Sequence, residues 1–160
     1  MKQTNILIKM VLDRWNGSIQ SLNKHLAEMS DEQLQQEIAP TKNRGTYVLG
    51  HLIAVHDDML MLLDKGPKRF PQLQQPFIEQ ADRIALQTPS AAELRDMWTK
   101  QNEVLRELFS GMSADEWFSK HTAVSEEDFV KEPHRNKLNI IVTRTSHLQY
   151  HSGQMVLLKR

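Results

Sequence analysis

Two histidines near the end of the chain, His147 and His151, are spaced so that both can bind one metal ion. They lie four residues apart in a segment whose apolar residues follow the period of a helix. Side chains at positions i and i+4 of a helix share a face, with their Cβ atoms roughly 5–6 Å apart. Because histidine nitrogens are common ligands of zinc and similar metals, this spacing predicts part of a metal site.

His51, near the start of another apolar helix, is the candidate for a third ligand. Three histidines leave coordination positions free, which is typical of catalytic sites, whereas structural zinc sites use four protein ligands. A divalent metal held by neutral imidazoles keeps its charge and can activate a water or an external thiol. The sequence therefore predicts a divalent metal ion (Zn, Ni, Mn or Fe) at His51, His147 and His151.

Helical-wheel geometry selects two further side chains near this predicted site. At about 100° per residue, Gln154 falls within ~20° of His147. Asp58 shares the face of His51 but lies two turns later, roughly 10 Å along the helix axis. Both are predicted to orient a ligand or to contact substrate rather than to bind the metal. His56 is rotated by about 140° from His51 and is therefore a poor fourth ligand.

Composition limits the classes of protein that this chain can represent. Its 160 residues are expected to form one domain, spanning 1–160, with a continuous core. Lysine plus arginine and aspartate plus glutamate both number 20, and this balance argues against a nucleic-acid partner. With no cysteine present, any thiol chemistry requires an external thiol. Because no segment approaches the ~18 apolar residues of a membrane span, we expect a cytoplasmic protein that does not enter a membrane.

Apolar residues recur at spacings of three and four along most of the chain, and they predict an all-α fold. Four main helices are predicted, at about 4–28, 46–65 and 90–111 and from near 139 to the end of the chain. Thr46 is the predicted N-cap of the second helix. Ser90 and Glu93 form a predicted capping box at the start of the third.

The segments between these helices are predicted to be long and irregular. Residues 64–88 contain several prolines, and residues 119–138 contain the acidic run Glu126-Glu127-Asp128, which is expected in a solvated loop. The three tryptophans are predicted to pack in the core or at the ends of the bundle; they are Trp15, Trp98 and Trp117.

Two of the histidine segments resemble the DinB-like superfamily of metal-dependent helical bundle proteins. The resemblance rests on Gly50-His51-Leu52 and on residues 147–154, and residues 29–34 support it. In that superfamily, a histidine of the second helix and an HxxxH pair of the last long helix bind a divalent metal, which implies these roles for His51, His147 and His151. It also implies an up-up-down-down four-helix bundle with a long crossover, of the DinB/YfiT-like type, and frequently a homodimer. The superfamily commonly has an acid five residues after the first ligand, where this chain has His56.

The leading functional hypothesis is a metal-dependent hydrolase or thiol-dependent transferase acting on a small molecule, with a low-molecular-weight thiol as a candidate partner. The residues that perform the reaction are not identified, apart from Asp58 and Gln154 as orienting groups. The pair lacks the glutamate of an HExxH motif, which argues against a metalloprotease. The alternative is a noncatalytic helical module that binds a small ligand or a protein. A role in binding DNA has no support in the charge distribution.

Overall fold

The described part of the chain, residues 3–159 of a computed structural model, is mostly helical and contains no β-strand. Its α-helices are α1 (Gln3–Ala27), α2 (Asp31–Leu34), α3 (Gly45–Leu62), α4 (Ala91–Gly111), α5 (Ala114–Phe118), α6 (Glu126–Lys131) and α7 (Lys137–Met155). The prediction of an all-α fold is therefore confirmed. None of the described helices combines the length and the apolar character that crossing a bilayer requires.

The four longest helices, α1, α3, α4 and α7, correspond to the four predicted helices and surround the core. Helix α7 packs against α1 and α3, and α3 also packs against α4. The side chains between them are fully buried leucine, isoleucine, methionine and tryptophan residues, each worth about 1.5–3 kcal/mol when removed from water; they include Trp15, Leu22, Leu49, Leu52, Ile53, Met59, Leu94, Leu105, Ile141 and Leu148. Because α3 contacts neighbours on most of its surface, it is the central helix of the fold.

The start of α3 differs from its prediction, because its N-cap is Arg44 rather than Thr46. The backbone N–H of Arg44 donates to Asp82 at 2.8 Å, and its guanidinium donates to the same carboxylate at 2.6 Å. The next residue is Gly45, where a Cβ atom would lie 2.5 Å from Leu158 and 2.9 Å from the carbonyl oxygen of Leu34. This end of α3 is therefore set by tertiary contacts rather than by a local side-chain cap.

The predicted capping box of α4 is confirmed. The hydroxyl of Ser90 accepts from the N–H of Glu93, and the Glu93 carboxylate accepts from the N–H of Ser90 at 2.7 Å. Helix α7 begins at Lys137 with Asn136 as its N-cap, two residues before the predicted start. It ends at Met155 in a 3₁₀ turn over Val156–Leu158 instead of continuing as an α-helix, and Arg160 lies outside the described residues.

The two connections contain more regular structure than the sequence predicts. The acidic run Glu126-Glu127-Asp128 was expected in a loop, but it forms the first turn of α6, where Ser125 caps the N–H of Asp128. Acidic side chains in a first turn interact favourably with the helix dipole, which explains the helix. Between α3 and α4, the chain forms a 3₁₀ turn over Pro71–Leu73 and a π turn over Gln75–Glu79.

A buried aspartate fixes the beginning of the α3–α4 connection. The carboxylate of Asp57 accepts from the backbone N–H of Arg69 at 2.9 Å and from that of Phe70 at 2.7 Å. Asp57 is fully buried, so these charge-assisted bonds replace its lost hydration. These bonds hold Arg69 and Phe70 against α3, a few residues before the π turn whose Phe77 contacts His51.

Candidate metal site

The three predicted histidines meet between α3 and α7. The Nε2 atom of His147 lies 3.1 Å from Nε2 of His51 and 3.2 Å from Nε2 of His151. The ligand atoms of all three lie within 4.8 Å of one another, and each side chain is half-buried. The fold thus brings His51 to the pair on α7 even though 96 residues separate it from His147.

Two of the three imidazoles have a fixed tautomer that leaves Nε2 free to bind a metal. Nδ1 of His51 lies 2.9 Å from the carbonyl oxygen of Phe77, and a carbonyl can only accept, so Nδ1 carries the proton. Nδ1 of His151 lies 2.7 Å from Oε1 of Gln154, which requires the same arrangement. Both Nε2 atoms therefore present a lone pair towards the centre of the cluster.

The contact between His51 and Phe77 depends on a glycine next to the histidine. A Cβ atom at Gly50 would lie 2.5–2.6 Å from three atoms of the Phe77 ring, so only glycine lets the ring pack this closely. One helical turn before His51, the hydroxyl of Tyr47 donates to the carbonyl oxygen of Gln80 at 2.7 Å. The chain is therefore bound to α3 before Phe77, through Asp57, and after it, through Tyr47.

His147 is the least satisfied member of the cluster. Its Nδ1 atom is buried and has no hydrogen-bond partner among residues 3–159, while its Nε2 faces two lone pairs. A neutral imidazole has one N–H, so Nδ1 is unpaired in either tautomer, and with the proton on Nδ1 three Nε2 lone pairs also face one another.

A cation at the centre of the cluster would bind the three Nε2 lone pairs. In a tetrahedral site with metal–nitrogen distances of about 2.0–2.1 Å, neighbouring ligand nitrogens lie about 3.4 Å apart. The two short distances at His147 Nε2, 3.1 and 3.2 Å, are close to this value. These two distances therefore fit a divalent metal ion held by the cluster, and three imidazoles would leave coordination positions free.

Burial keeps two of the three histidines in the protonation state that metal binding requires. Desolvation, assisted by the neighbouring His151, His51 and Arg144, lowers the pKa of His147 to about 4. Desolvation also lowers the pKa of His151, against the opposing effect of its hydrogen bond to Gln154. Both imidazoles are consequently neutral at pH 7, and a metal need not displace a proton from them.

Comparison with known proteins agrees with this geometry. The family model of the DinB superfamily matches residues 14–155. The chain belongs to the DinB superfamily. A crystal structure of a conserved protein of a locus from Enterococcus faecalis is similar over all of this chain and 96% of its own, with a TM-score of 0.66 and 15% identity. That likeness concerns the fold alone, and no curated protein matches the chain.

Membership of the DinB superfamily and the three-histidine cluster together fit a metal-binding protein.

Of the two other predicted site residues, one contacts the cluster and one does not. Gln154 contacts His151 directly, as described above. Asp58 instead forms an ion pair with Lys68 at 2.6 Å, and it makes no hydrogen bond to a histidine of the cluster among the described residues.

His56 lies away from the cluster, in the core of this DinB-superfamily protein. It is fully buried between Trp15 and Trp98, with ring centroids 4.8 and 5.2 Å away. The Asn102 side chain lies close enough to favour the protonated ring, but neither ring nitrogen has a well-aligned hydrogen bond within residues 3–159. Desolvation, with smaller effects from His147 and Arg144, lowers the pKa of His56 to about 3. His56 therefore packs in the core as a neutral ring.

Sequence reasoning missed three residues of the site: Tyr47, Phe77 and Arg144. Tyr47 precedes His51 by four residues and Arg144 precedes His147 by three, so helical spacing alone could have identified both. Phe77 could not have been found in this way, because it acts through a backbone carbonyl that every residue possesses.

Tyr47 and Phe77 also line a cavity of about 210 Å³ next to the cluster, with Asn43, Val48, His51, Ile78 and His151.

Proposed function

We propose that this protein is a divalent-metal-dependent enzyme of the hydrolase or thiol-dependent transferase type, with His51, His147 and His151 as its metal ligands. The observation that carries the proposal is the convergence of three Nε2 atoms, two of which have their lone pairs fixed towards one point. When bound there, a divalent metal supplies Lewis-acid activation of a water or an external thiol.

The protein's own residues orient this chemistry. The Phe77 carbonyl holds the ring of His51 and Gln154 holds the ring of His151, which are the kinds of outer contacts that sustain metal affinity. The cavity of about 210 Å³ beside His51 and His151 has an apolar wall and one phenol, which suits a small molecule or one end of a larger one. Since the chain has no cysteine, a thiol nucleophile comes from a second substrate.

We further propose that the four long helices form an up-up-down-down bundle in a single domain, and that the protein is a homodimer. Support for the dimer comes from an apolar surface on α1 and α7, where Leu7, Met10 and Val142 are 46%, 63% and 44% exposed. These side chains line a groove of about 400 Å³. A second copy of α1 and α7 covers such a surface with matching apolar residues.

Metal analysis tests the proposed ligands. Untagged protein is stripped with a chelator, reconstituted separately with Zn, Ni, Mn and Fe, and analysed by mass spectrometry for bound metal. We expect about one equivalent of at least one metal, and its loss in His51→Ala and His147→Ala. His134→Ala, which changes an exposed histidine outside the cluster, serves as the matched control and retains the metal.

Two results would contradict the proposal. Less than about a tenth of an equivalent in the wild type after reconstitution excludes a metal enzyme of this kind. Full metal binding without turnover of any small electrophile or ester, with or without a low-molecular-weight thiol, favours the noncatalytic binding module instead.

A further inference from the structure

Arg144 is a partly buried cation one helical turn from His147 on the same face of α7. Its Nε atom is buried and has no hydrogen-bond partner, and no carboxylate of residues 3–159 forms an ion pair with its guanidinium. A guanidinium nitrogen that is removed from water without a hydrogen-bond partner is costly. The Nε–H of Arg144 therefore lacks an acceptor among residues 3–159, and an anionic ligand would supply one.

The nearest acid cannot fill this role alone. Asp58 lies across from Arg144 on α3, and its charge opposes the lowering of the Arg144 pKa that burial causes. However, Asp58 is already bound to Lys68 at 2.6 Å, so two cations share one carboxylate. The surroundings of Arg144 therefore hold two cations, Arg144 and Lys68, and the single carboxylate of Asp58.

A second unpaired donor arises next to Arg144 when the cluster binds metal. With Nε2 of His147 acting as a ligand, the proton of that ring is on Nδ1, which is buried and has no acceptor among residues 3–159. Arg144 precedes His147 by three residues on α7, so the two side chains leave the same face of the helix. An oxyanion between them would accept from both Nε–H of Arg144 and Nδ1–H of His147.

We propose that Arg144, together with Nδ1–H of His147, binds a carboxylate group of a substrate or co-substrate beside the metal. A guanidinium matches a carboxylate in shape and charge, and carboxylates are the usual acceptors for the outer nitrogen of metal-bound histidines. This inference rests on the proposed function, since His147 donates from Nδ1 only when its Nε2 is engaged. It predicts that acidic molecules are preferred over neutral molecules of the same shape.

The test uses acetate as the probe and acetamide as its neutral counterpart, at constant ionic strength. In a ¹⁵N-labelled sample, the Arg144 Nε–H signal is identified as the one missing from Arg144→Gln. We expect acetate to shift this signal saturably in the metal-loaded protein, and acetamide not to shift it. Affinity for acetate by calorimetry should fall about 10- to 100-fold in Arg144→Gln, as expected for the loss of a hydrogen bond to a charged group.

Two variants control for indirect effects. Arg144→Lys keeps the charge, folds under the same electrostatic conditions and should retain part of the affinity. Arg106→Gln removes an exposed arginine of α4 and should leave acetate binding unchanged. The inference is overturned if acetate produces no saturable shift of the Arg144 signal, or if Arg144→Gln binds acetate as tightly as the wild type.

Metal content separates this inference from the proposed function. If Arg144→Gln retains its metal and loses acetate affinity, the carboxylate site is supported. If the wild type binds metal but acetate leaves Arg144 unaffected, the carboxylate site fails and the metal enzyme stands. If the wild type binds no metal, the proposed function fails, and the joint role of Arg144 and His147 fails with it.

Discussion

The burial of His56 makes a specific prediction about how stability depends on pH. In the folded protein the pKa of His56 is about 3, against an ordinary value of 6.5, because burial between two tryptophans opposes its protonation. Between these two values the unfolded chain binds a proton at His56 that the folded chain does not. The resulting stabilisation is fully present above pH 6.5 and is lost as the pH falls towards 3.

The magnitude follows from the size of the shift. Each pH unit below 6.5 costs about 1.4 kcal/mol, so His56 lowers the free energy of unfolding by about 2 kcal/mol at pH 5. His56→Leu removes the titrating group and the two unpartnered nitrogens while keeping a similar volume. At pH 7.5 we therefore expect the variant to be at least as stable as the wild type, because leucine has no buried ring nitrogen that needs a hydrogen-bond partner.

Guanidinium unfolding of the metal-free protein, followed by tryptophan fluorescence at pH 7.5 and pH 5.0, measures this difference. His147 and His151 titrate in both proteins, so the difference between wild type and His56→Leu isolates His56. The wild type should lose about 2 kcal/mol more than the variant between the two pH values. Equal losses in the two proteins would refute the reasoning, since they would show that His56 can take up a proton in the folded state.

Four further changes have expected outcomes. Asp57→Ala leaves the Arg69 and Phe70 amides without their acceptor and should lower the free energy of unfolding by about 3 kcal/mol in urea, whereas Asp96→Ala, at an exposed ion pair, should cost less than about 1 kcal/mol. Gly50→Ala pushes its Cβ into the Phe77 ring and should weaken metal binding about 10-fold or more in a competition titration, whereas Gly153→Ala, with open space around it, should not. Gln154→Leu removes the acceptor at His151 Nδ1 and should weaken metal binding about 10- to 100-fold, and full affinity would show that this contact does not matter. Met10→Glu places a charge on the apolar α1 and α7 surface and should convert the proposed dimer to a monomer, as measured by light scattering; a wild type that is already monomeric contradicts the proposed dimer.

Local signals in the sequence were enough to locate the long helices. The capping box of Ser90 and Glu93 and the apolar period of α4 depend only on residues close together in the chain, and both are present in the fold. The acidic run at residues 126–128 was misread because its composition suits a solvated loop and a first helical turn equally. Ser125, three residues before Asp128, was the local signal that separates the two.

Tertiary contacts decided what local signals could not. Arg44 begins α3 because Asp82, 38 residues later, accepts from its backbone and side chain. In the same way, the i, i+4 spacing predicts that His147 and His151 share a face. His51 was selected as a third imidazole near the start of another apolar helix, and the family resemblance supported that choice. The role of the Phe77 carbonyl has no side-chain signature, and the one clue was Gly50, whose missing Cβ admits the ring.

The supports of the three histidines are unequal, and this inequality has a chemical consequence. The connection that carries Phe77 is bound to α3 at Asp57, Tyr47 and Arg44, so the orientation of His51 is determined by contacts at both ends of the helix. His151 has its own acceptor within α7, whereas His147 has none for Nδ1. Outer contacts of this kind are worth about 10- to 100-fold in metal affinity. The chain supplies two of the three outer contacts. If an acidic molecule binds at Arg144 as proposed and supplies the third, metal binding should be tightest in its presence. Metal affinity and carboxylate affinity should therefore increase each other by the same factor, as reciprocal linkage requires.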